Sequence, residues 1–266
     1  MLLLVGLGLG DVKDITVRGL EAVRGADVVF LEAYTSHLIN SSVQQLEEFY
    51  GRPVVVADRD AVESGSILAE VRERTVALLV VGDVFGATTH SDLVVRCHEA
   101  RVPVGVIHNV SIINAVGCCG LQLYRFGQVL SLCFWTETWR PDSWYDRLLS
   151  NRRAGLHTLL LLDIKVKEVS DENLARGKKI YEPPRYMTVQ QAIDQLKRVE
   201  GERQMGAITD ASIVVGMARI GSDSQRIAAG TIEKVASVDF GAPLHSLVVA
   251  GDIHDCEMEH LRLFML

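Results

Sequence analysis

Two phosphate-binding signatures are missing from this 266-residue chain. No G-x-x-x-x-G-K-S/T occurs, which excludes a P-loop. The opening MLLLVGLGLGDVKDITVRGLEAV carries Gly6, Gly8 and Gly10, but no third Rossmann glycine. Counting from Gly6 that position is Asp11, and counting from Gly8 it is Lys13. A carboxylate in such a turn repels a pyrophosphate. Positive charge is also short: 27 Lys and Arg face 34 Asp and Glu, for a net charge of -7. That disfavours non-specific nucleic-acid binding, which needs a basic face. The five cysteines are an odd number with no C-x-x-C, and Cys118 and Cys119 are adjacent. They read as reduced thiols of a cytoplasmic protein. No segment reaches the roughly 18 apolar residues of a membrane span. The apolar start has no basic residues before it and stops at Asp11, so no signal peptide is expected.

What is present is an alternation of buried strands and amphipathic helices. The runs Leu2–Val5, Asp27–Leu31, Val54–Ala57, Val76–Val81 and Val104–Ile107 predict strands. Helical patterns fall between them at Thr16–Arg24, Val43–Phe49, Ile67–Arg72 and Leu93–Ala100. Near-continuous Val/Leu strands alternating with helices imply a parallel sheet covered on both faces. The texture changes in HNVSIINAVGCCG, which places a domain switch there: 1–112, then 113–266. In the second half Val129–Phe134, His157–Ile164, Ser212–Met217 and Ser246–Ala250 predict strands. Ser143–Leu149 and Thr188–Val199 predict helices, the latter with Thr188 as N-cap.

Three loops follow three of the first-half strands, where ligands bind in open α/β sheets. The first is GLGLGD. The second is GDVFGATTH, in which Asp83 can accept hydrogen bonds from a ribose or an ammonium group, or simply cap a turn. The third is HNVSIINA, in which Ser111 can cap a helix or bond a ligand, and Ile112 can cover an aromatic ring. His90 and His108 lie near these loops, and a lone histidine is more often structural than catalytic. His254, Cys256 and His260 match no structural zinc spacing, so no metal is expected. Trp135, Trp139, Arg140, Trp144 and Tyr145 read equally as a partner-gripping patch or as a core helix with one snorkelling arginine.

Together GLGLGDVKDIT, GDVFGATTHSDL, IHNVSIINAVGCCGLQLYRFG, FWTETWRPDSWYDRL, LLDIKVKE, YEPPRYMTVQQA and APLHSLVV resemble diphthine synthase, in order and across nearly the whole chain. One departure is Val84, where that family usually has proline after the loop aspartate. The resemblance implies two α/β domains of the tetrapyrrole-methylase-like, class III methyltransferase type, with a cleft for S-adenosyl-L-methionine between them. It implies a cytoplasmic homodimer that methylates the aminocarboxypropyl-histidine of elongation factor 2 in diphthamide biosynthesis and leaves S-adenosyl-L-homocysteine. Carried over position by position, the cofactor contacts are Leu9, Asp83, Gly86, Ser111, Ile112, Leu162, Ile220 and His245. FWTETWRP, LLDIKVKE and YEPPRYM look like the eukaryotic form, which ends in a methyl ester.

The residue chemistry agrees. Apolar cover from Leu9, Ile112, Leu162 and Ile220, with polar anchors at Asp83, Ser111 and His245, suits a nucleoside-like ligand without a pyrophosphate. On this reading the loop glycines make room for that ligand. Methyl transfer by in-line displacement asks the protein mainly for alignment, and no base is assigned. Arg140, Lys165, Lys179, Arg185 and Tyr186, with Lys167 and Lys178 nearby, form the expected rim for the protein substrate. Two other readings stay open: a small-molecule methylase of the tetrapyrrole type, and a non-catalytic nucleoside-binding interaction protein.

Overall fold

The computed structural model describes residues 1–32, 34, 36, 38, 41–63, 66–166 and 181–266. Lys167, Lys178 and Lys179 of the expected rim lie outside the described residues. The chain divides into two compact units. The first is Met1–Ile112 with the described parts of Ile164–Arg185 and with Gly221–Asp223. The second is Ile113–Asp163, Tyr186–Ile220 and Ser224–Leu266.

Unit 1 is built on five strands: β1 (Leu2–Gly6), β2 (Val28–Glu32), β3 (Val55–Ala57), β4 (Val76–Val80) and β5 (Val104–Ile107). All pair in parallel, in the order β3-β2-β4-β1-β5. Between them run α1 (Val17–Gly25), α2 (Val43–Tyr50), α3 (Arg59–Glu63), α4 (Ser66–Glu73) and α5 (Ser91–Glu99), and α6 (Ile112–Ala115) follows β5. The continuous apolar runs are explained by burial on both faces. Along β4, Ala77 and Leu79 join the core under α1 and α2, while Val76, Leu78 and Val80 join the core that holds Val62, Ile67 and Leu93 of α3, α4 and α5.

The strand order makes a switch point. β1 and β4 are neighbours, yet β1 hands the chain across to β2 on one side and β4 hands it to β5 on the other. A crevice beyond the carboxyl ends of such a pair is where open α/β sheets bind ligands.

Unit 2 holds β6 (Leu130–Leu132), α7 (Trp144–Arg153) and β7 (Thr158–Leu162). Two two-residue strands, β8 (Ile164–Lys165) and β9 (Arg185–Tyr186), come next in the chain. Then follow α8 (Val189–Arg203), β10 (Ile213–Ala218), β11 (Arg226–Thr231), α9 (Ile232–Ala236), β12 (His245–Val249) and α10 (Asp255–Leu261). The unit-2 sheet runs β11-β10-β12-β7-β6. In it β6 and β7 pair in parallel, and the other three pairings are antiparallel. Helix α8 starts as its sequence predicts: Thr188 accepts the Gln191 amide and Gln191 returns a bond to the Thr188 amide. Such a cap contributes about 1 kcal/mol.

β11 has no counterpart among the strands read from the sequence. Its residues RIAAGT are too small and too polar at one end to give an apolar run, and it is held by its full ladder to β10. Trp144 and Tyr145 are core residues, while Trp139 is 56% exposed. The aromatic stretch is therefore split between interior and surface. Arg203 spans Asp142 and Asp146 and lies 4.8 Å from the Tyr145 ring centroid.

Candidate functional site at the carboxyl edge of the unit 1 sheet

The loops after β1, β4 and β5 meet at the switch point. The β1 and β4 loops are joined directly, because Gly8 and Gly82 exchange backbone bonds at 3.1 and 2.8 Å. Both glycines have left-handed φ values, +78° and +84°, which other residues adopt at a cost.

Asp83 ties the second loop to the third. One carboxylate oxygen accepts the Phe85 amide at 3.0 Å. The other accepts the Asn109 amide at 2.9 Å and faces His108 Nδ1 at 2.9 Å. Burial alone pushes the Asp83 pKa up, but the two amides and His108 outweigh it, and the carboxyl is held below its usual range. The turn-capping role is thus real. The oxygen bonded to Phe85 keeps capacity for a further donor.

Asn109 is the residue the sequence reading passed over. Its Nδ2 donates to the carbonyls of Gly6 (2.9 Å) and Asp14 (3.0 Å), and its Oδ1 accepts the Val110 amide at 2.8 Å. It therefore clamps the ends of β1 and β5 and the turn after Gly10. The only sequence signal is an asparagine two residues past the end of a strand.

The glycines serve these close approaches. A Cβ on Gly6 would lie 2.8 Å from Asn109 Cβ, and one on Gly8 would lie 2.7 Å from Asp14 Cβ. A Cβ on Gly10 would strike the Gly221 carbonyl. Neighbouring loops fill the space that the sequence reading reserved for a ligand, so the glycines braid the loops first. Gly86 behaves likewise, since its Cβ would fall 2.6 Å from Ser111 Cβ. Ala87, next in the loop, holds φ +64°. A strained non-glycine residue is a mark of loops kept for function. Val84 is fully buried in the core, and its carbonyl accepts Thr88 Oγ1 at 2.6 Å. The loop is thus pinned without the family's proline.

Leu9, Asp83, Gly86, Ser111 and Ile112 accordingly stand on three loops that the structure knits into one edge of unit 1. Ser111 is buried, and Leu9 and Ile112 are half-buried. Leu162, Ile220 and His245 belong to unit 2. Leu162 ends β7 in one core layer, and Ile220 packs against the other. His245 is buried with both ring nitrogens engaged. Nδ1 accepts the Val189 amide at 3.4 Å, and Nε2 donates toward the carbonyls of Gly241 and Ala242, each at 3.1 Å. Burial lowers its pKa and keeps it neutral. What it offers a ligand is its backbone and ring, with no free nitrogen. Arg219 buttresses the same turn through Phe240 O at 2.7 Å and through Ala242 O.

Among the described residues no group of histidines, cysteines and carboxylates could hold a metal. His254 instead caps α10, its Nδ1 accepting the Cys256 amide at 3.3 Å. Of the expected rim, Arg140 and Arg185 are exposed and Lys165 and Tyr186 are half-buried. No helix among the described residues is long and apolar enough to cross a membrane.

The chain is similar to known proteins along its whole length. The family model of the tetrapyrrole (corrin/porphyrin) methylases covers residues 1–236. The human protein named diphthine methyl ester synthase is 57% identical, over 100% of this chain and 95% of its own length. The Saccharomyces cerevisiae protein of the same name is 54% identical, over 99% of this chain and 89% of its own length. The chain belongs to the diphthine synthase family. A crystal structure of diphthine synthase superposes with a TM-score of 0.83 at 36% identity, covering 99% of this chain and 95% of that one. A crystal structure of a diphthine synthase candidate from Entamoeba histolytica gives 0.90 at 50%, covering 100% and 98%. As a member of this family the chain is an S-adenosylmethionine-dependent methyltransferase of diphthamide biosynthesis, with the tetrapyrrole-methylase-like fold.

Proposed function

We propose that the chain methylates the aminocarboxypropyl group of a modified histidine on elongation factor 2, and carries the product to its methyl ester. The carrying observation is full-length identity of 57% to a protein named diphthine methyl ester synthase. Leu9, Asp83, Gly86, Ser111 and Ile112 of unit 1 hold the cofactor, and the family resemblance adds Leu162, Ile220 and His245. S-adenosylmethionine supplies an electrophilic methyl group on a cationic sulfur. The loops fit that chemistry: Asp11, Asp14 and Asp83 put three carboxylates on the edge, which suits a cation, an ammonium group and ribose hydroxyls and repels a pyrophosphate. What the chain's residues contribute is placement, because the loops are bonded to one another through Gly8, Gly82, Asp83 and Asn109.

S-adenosylhomocysteine, which binds only the folded state, raises the melting temperature by mass action, with about 2.7 kcal/mol gained at a hundredfold excess over Kd. NADH and ATP leave it unchanged. A shift with NADH and none with S-adenosylhomocysteine contradicts the reading. The working form is a cytoplasmic homodimer, which sedimentation at micromolar concentration and imaging of a tagged chain test separately.

A further inference from the structure

The sequence leaves two histidines near the loops, and the structure separates them. His90 is closed off in the interior, 1% exposed. His108 begins the third loop, its side chain 67% exposed, and its Nδ1 lies 2.9 Å from Asp83 Oδ2. The same oxygen accepts the Asn109 amide at 2.9 Å, and Oδ1 accepts the Phe85 amide at 3.0 Å. These bonds keep the Asp83 carboxyl ionised, so it can only accept from His108, and Nδ1 carries the proton. In the neutral ring the lone pair is then on Nε2, which has no hydrogen-bond partner among the described residues.

A carboxylate that orients an imidazole through one nitrogen, and leaves the other open, is an arrangement suited to proton transfer. Phe85 belongs to the same cluster. It is 43% exposed, and its ring centroid lies 6.0 Å from that of His108. An open aromatic face attracts ammonium cations. The other carboxylates of the braided loops are engaged on their own loop: Asp14 Oδ2 accepts the Gly10 amide at 2.7 Å, and Asp11 Oδ1 accepts the Lys13 amide at 2.7 Å. Asp83 is thus the charged partner of His108 among the described residues. It is also one of the positions that the family resemblance assigns to the methyl donor, and His108 stands on the loop of two others, Ser111 and Ile112.

Resting on the function proposed above, we infer that His108 is the base that takes the proton from the acceptor's amine through Nε2, with Asp83 as the group that orients it. The acceptor's ammonium group gives one proton to Nε2, and the ring becomes imidazolium against the Asp83 carboxylate, an opposite charge that stabilises it. The freed nitrogen lone pair forms the N–C bond as the C–S bond of the methyl donor breaks, and that electron pair stays on sulfur. The imidazolium returns its proton to solvent through its exposed edge before the next round. Each transfer to nitrogen releases one proton in this way. Ester formation releases none, because the attacking carboxylate oxygen already carries its lone pair.

That asymmetry is the test. Elongation factor 2 carrying the unmethylated tail, and separately the trimethylated tail, is incubated with S-adenosylmethionine and the parent chain, His108→Gln or His108→Ala. Transfer to nitrogen falls by about 100-fold or more in both variants, the usual worth of a positioned base, and added imidazole restores part of it in His108→Ala. Transfer to the carboxylate falls by a much smaller factor and does not respond to imidazole. A second readout needs no turnover. Diethylpyrocarbonate acylates open imidazole nitrogens, and mass spectrometry of the parent chain finds His108 modified. S-adenosylhomocysteine with the tail-bearing factor protects His108, and S-adenosylhomocysteine with factor whose histidine is unmodified does not. Unchanged transfer to nitrogen, an equal loss for both substrates, no response to imidazole, or the same modification of His108 with either factor overturns its role as the base. A parent chain that transfers no methyl group to either factor overturns the proposed function itself.

Discussion

Asp83→Asn separates the two roles of the site's carboxylate. The side chain is 16% exposed and accepts two backbone amides through different oxygens while facing His108. An asparagine keeps the shape but turns one acceptor into an NH₂ donor, so either Phe85 or Asn109 loses its partner. Losing a hydrogen bond to a charged group costs about 1.5–3 kcal/mol. The pH dependence follows from the lowered pKa. A depressed carboxyl contributes stability that is fully present above its unfolded value, about 3.9, and that is lost as pH falls through the folded value. Urea denaturation of parent and variant from pH 7 to pH 3 is the assay. The gap in unfolding free energy is flat above about pH 5 and closes below pH 4. Calorimetric titration with S-adenosylhomocysteine at pH 7 also shows weakened binding. A gap that does not change with pH refutes the electrostatic reasoning. Full stability with weakened binding shows that the loop does not depend on this carboxylate.

Asn109→Asp destabilises the fold more than Asn109→Ala at pH 7 by urea denaturation, because it aims an anionic oxygen at the Gly6 and Asp14 carbonyls; the reverse order contradicts the clamp. Gly86→Ala costs about 1–3 kcal/mol by overpacking against Ser111 and weakens S-adenosylhomocysteine binding; a neutral result in both assays removes the close approach from the account. His245 is held neutral below its unfolded pKa, so its contribution is lost as pH falls through about 6.5. The urea midpoint should therefore drop between pH 7 and pH 5, and His245→Gln should make that drop shallower.

How far the sequence reached depends on what it encodes locally. The β1 to β5 runs were legible because each is a short, mostly apolar stretch, plainest in β4, which is buried along its whole length, while Val55 and Val56 of β3 are exposed. Strand direction in unit 2 was not legible, since an apolar run such as β7, Thr158–Leu162, reads the same in either pairing, and β7 pairs both ways. β11 was missed because RIAAGT takes its conformation from the ladder with β10 and not from its own hydrophobicity. At the site, the three loops were found from glycine and strand ends. The reason for the glycines was not, because Asn109 and Ser111 are remote in sequence from Gly6 and Gly86 and meet them only after folding. His90 and His108 look alike in the sequence, and only burial distinguishes them.

The central claim is tested most directly by mass spectrometry of elongation factor 2. Factor bearing the unmethylated aminocarboxypropyl-histidine is incubated with the chain and S-adenosylmethionine, and the peptide containing that histidine is isolated. The account predicts stepwise gain of methyl groups on that residue alone, with the last one released by mild base as an ester is. A peptide that stays unmethylated while the chain binds S-adenosylhomocysteine, or methyl groups found elsewhere on the factor, contradicts it.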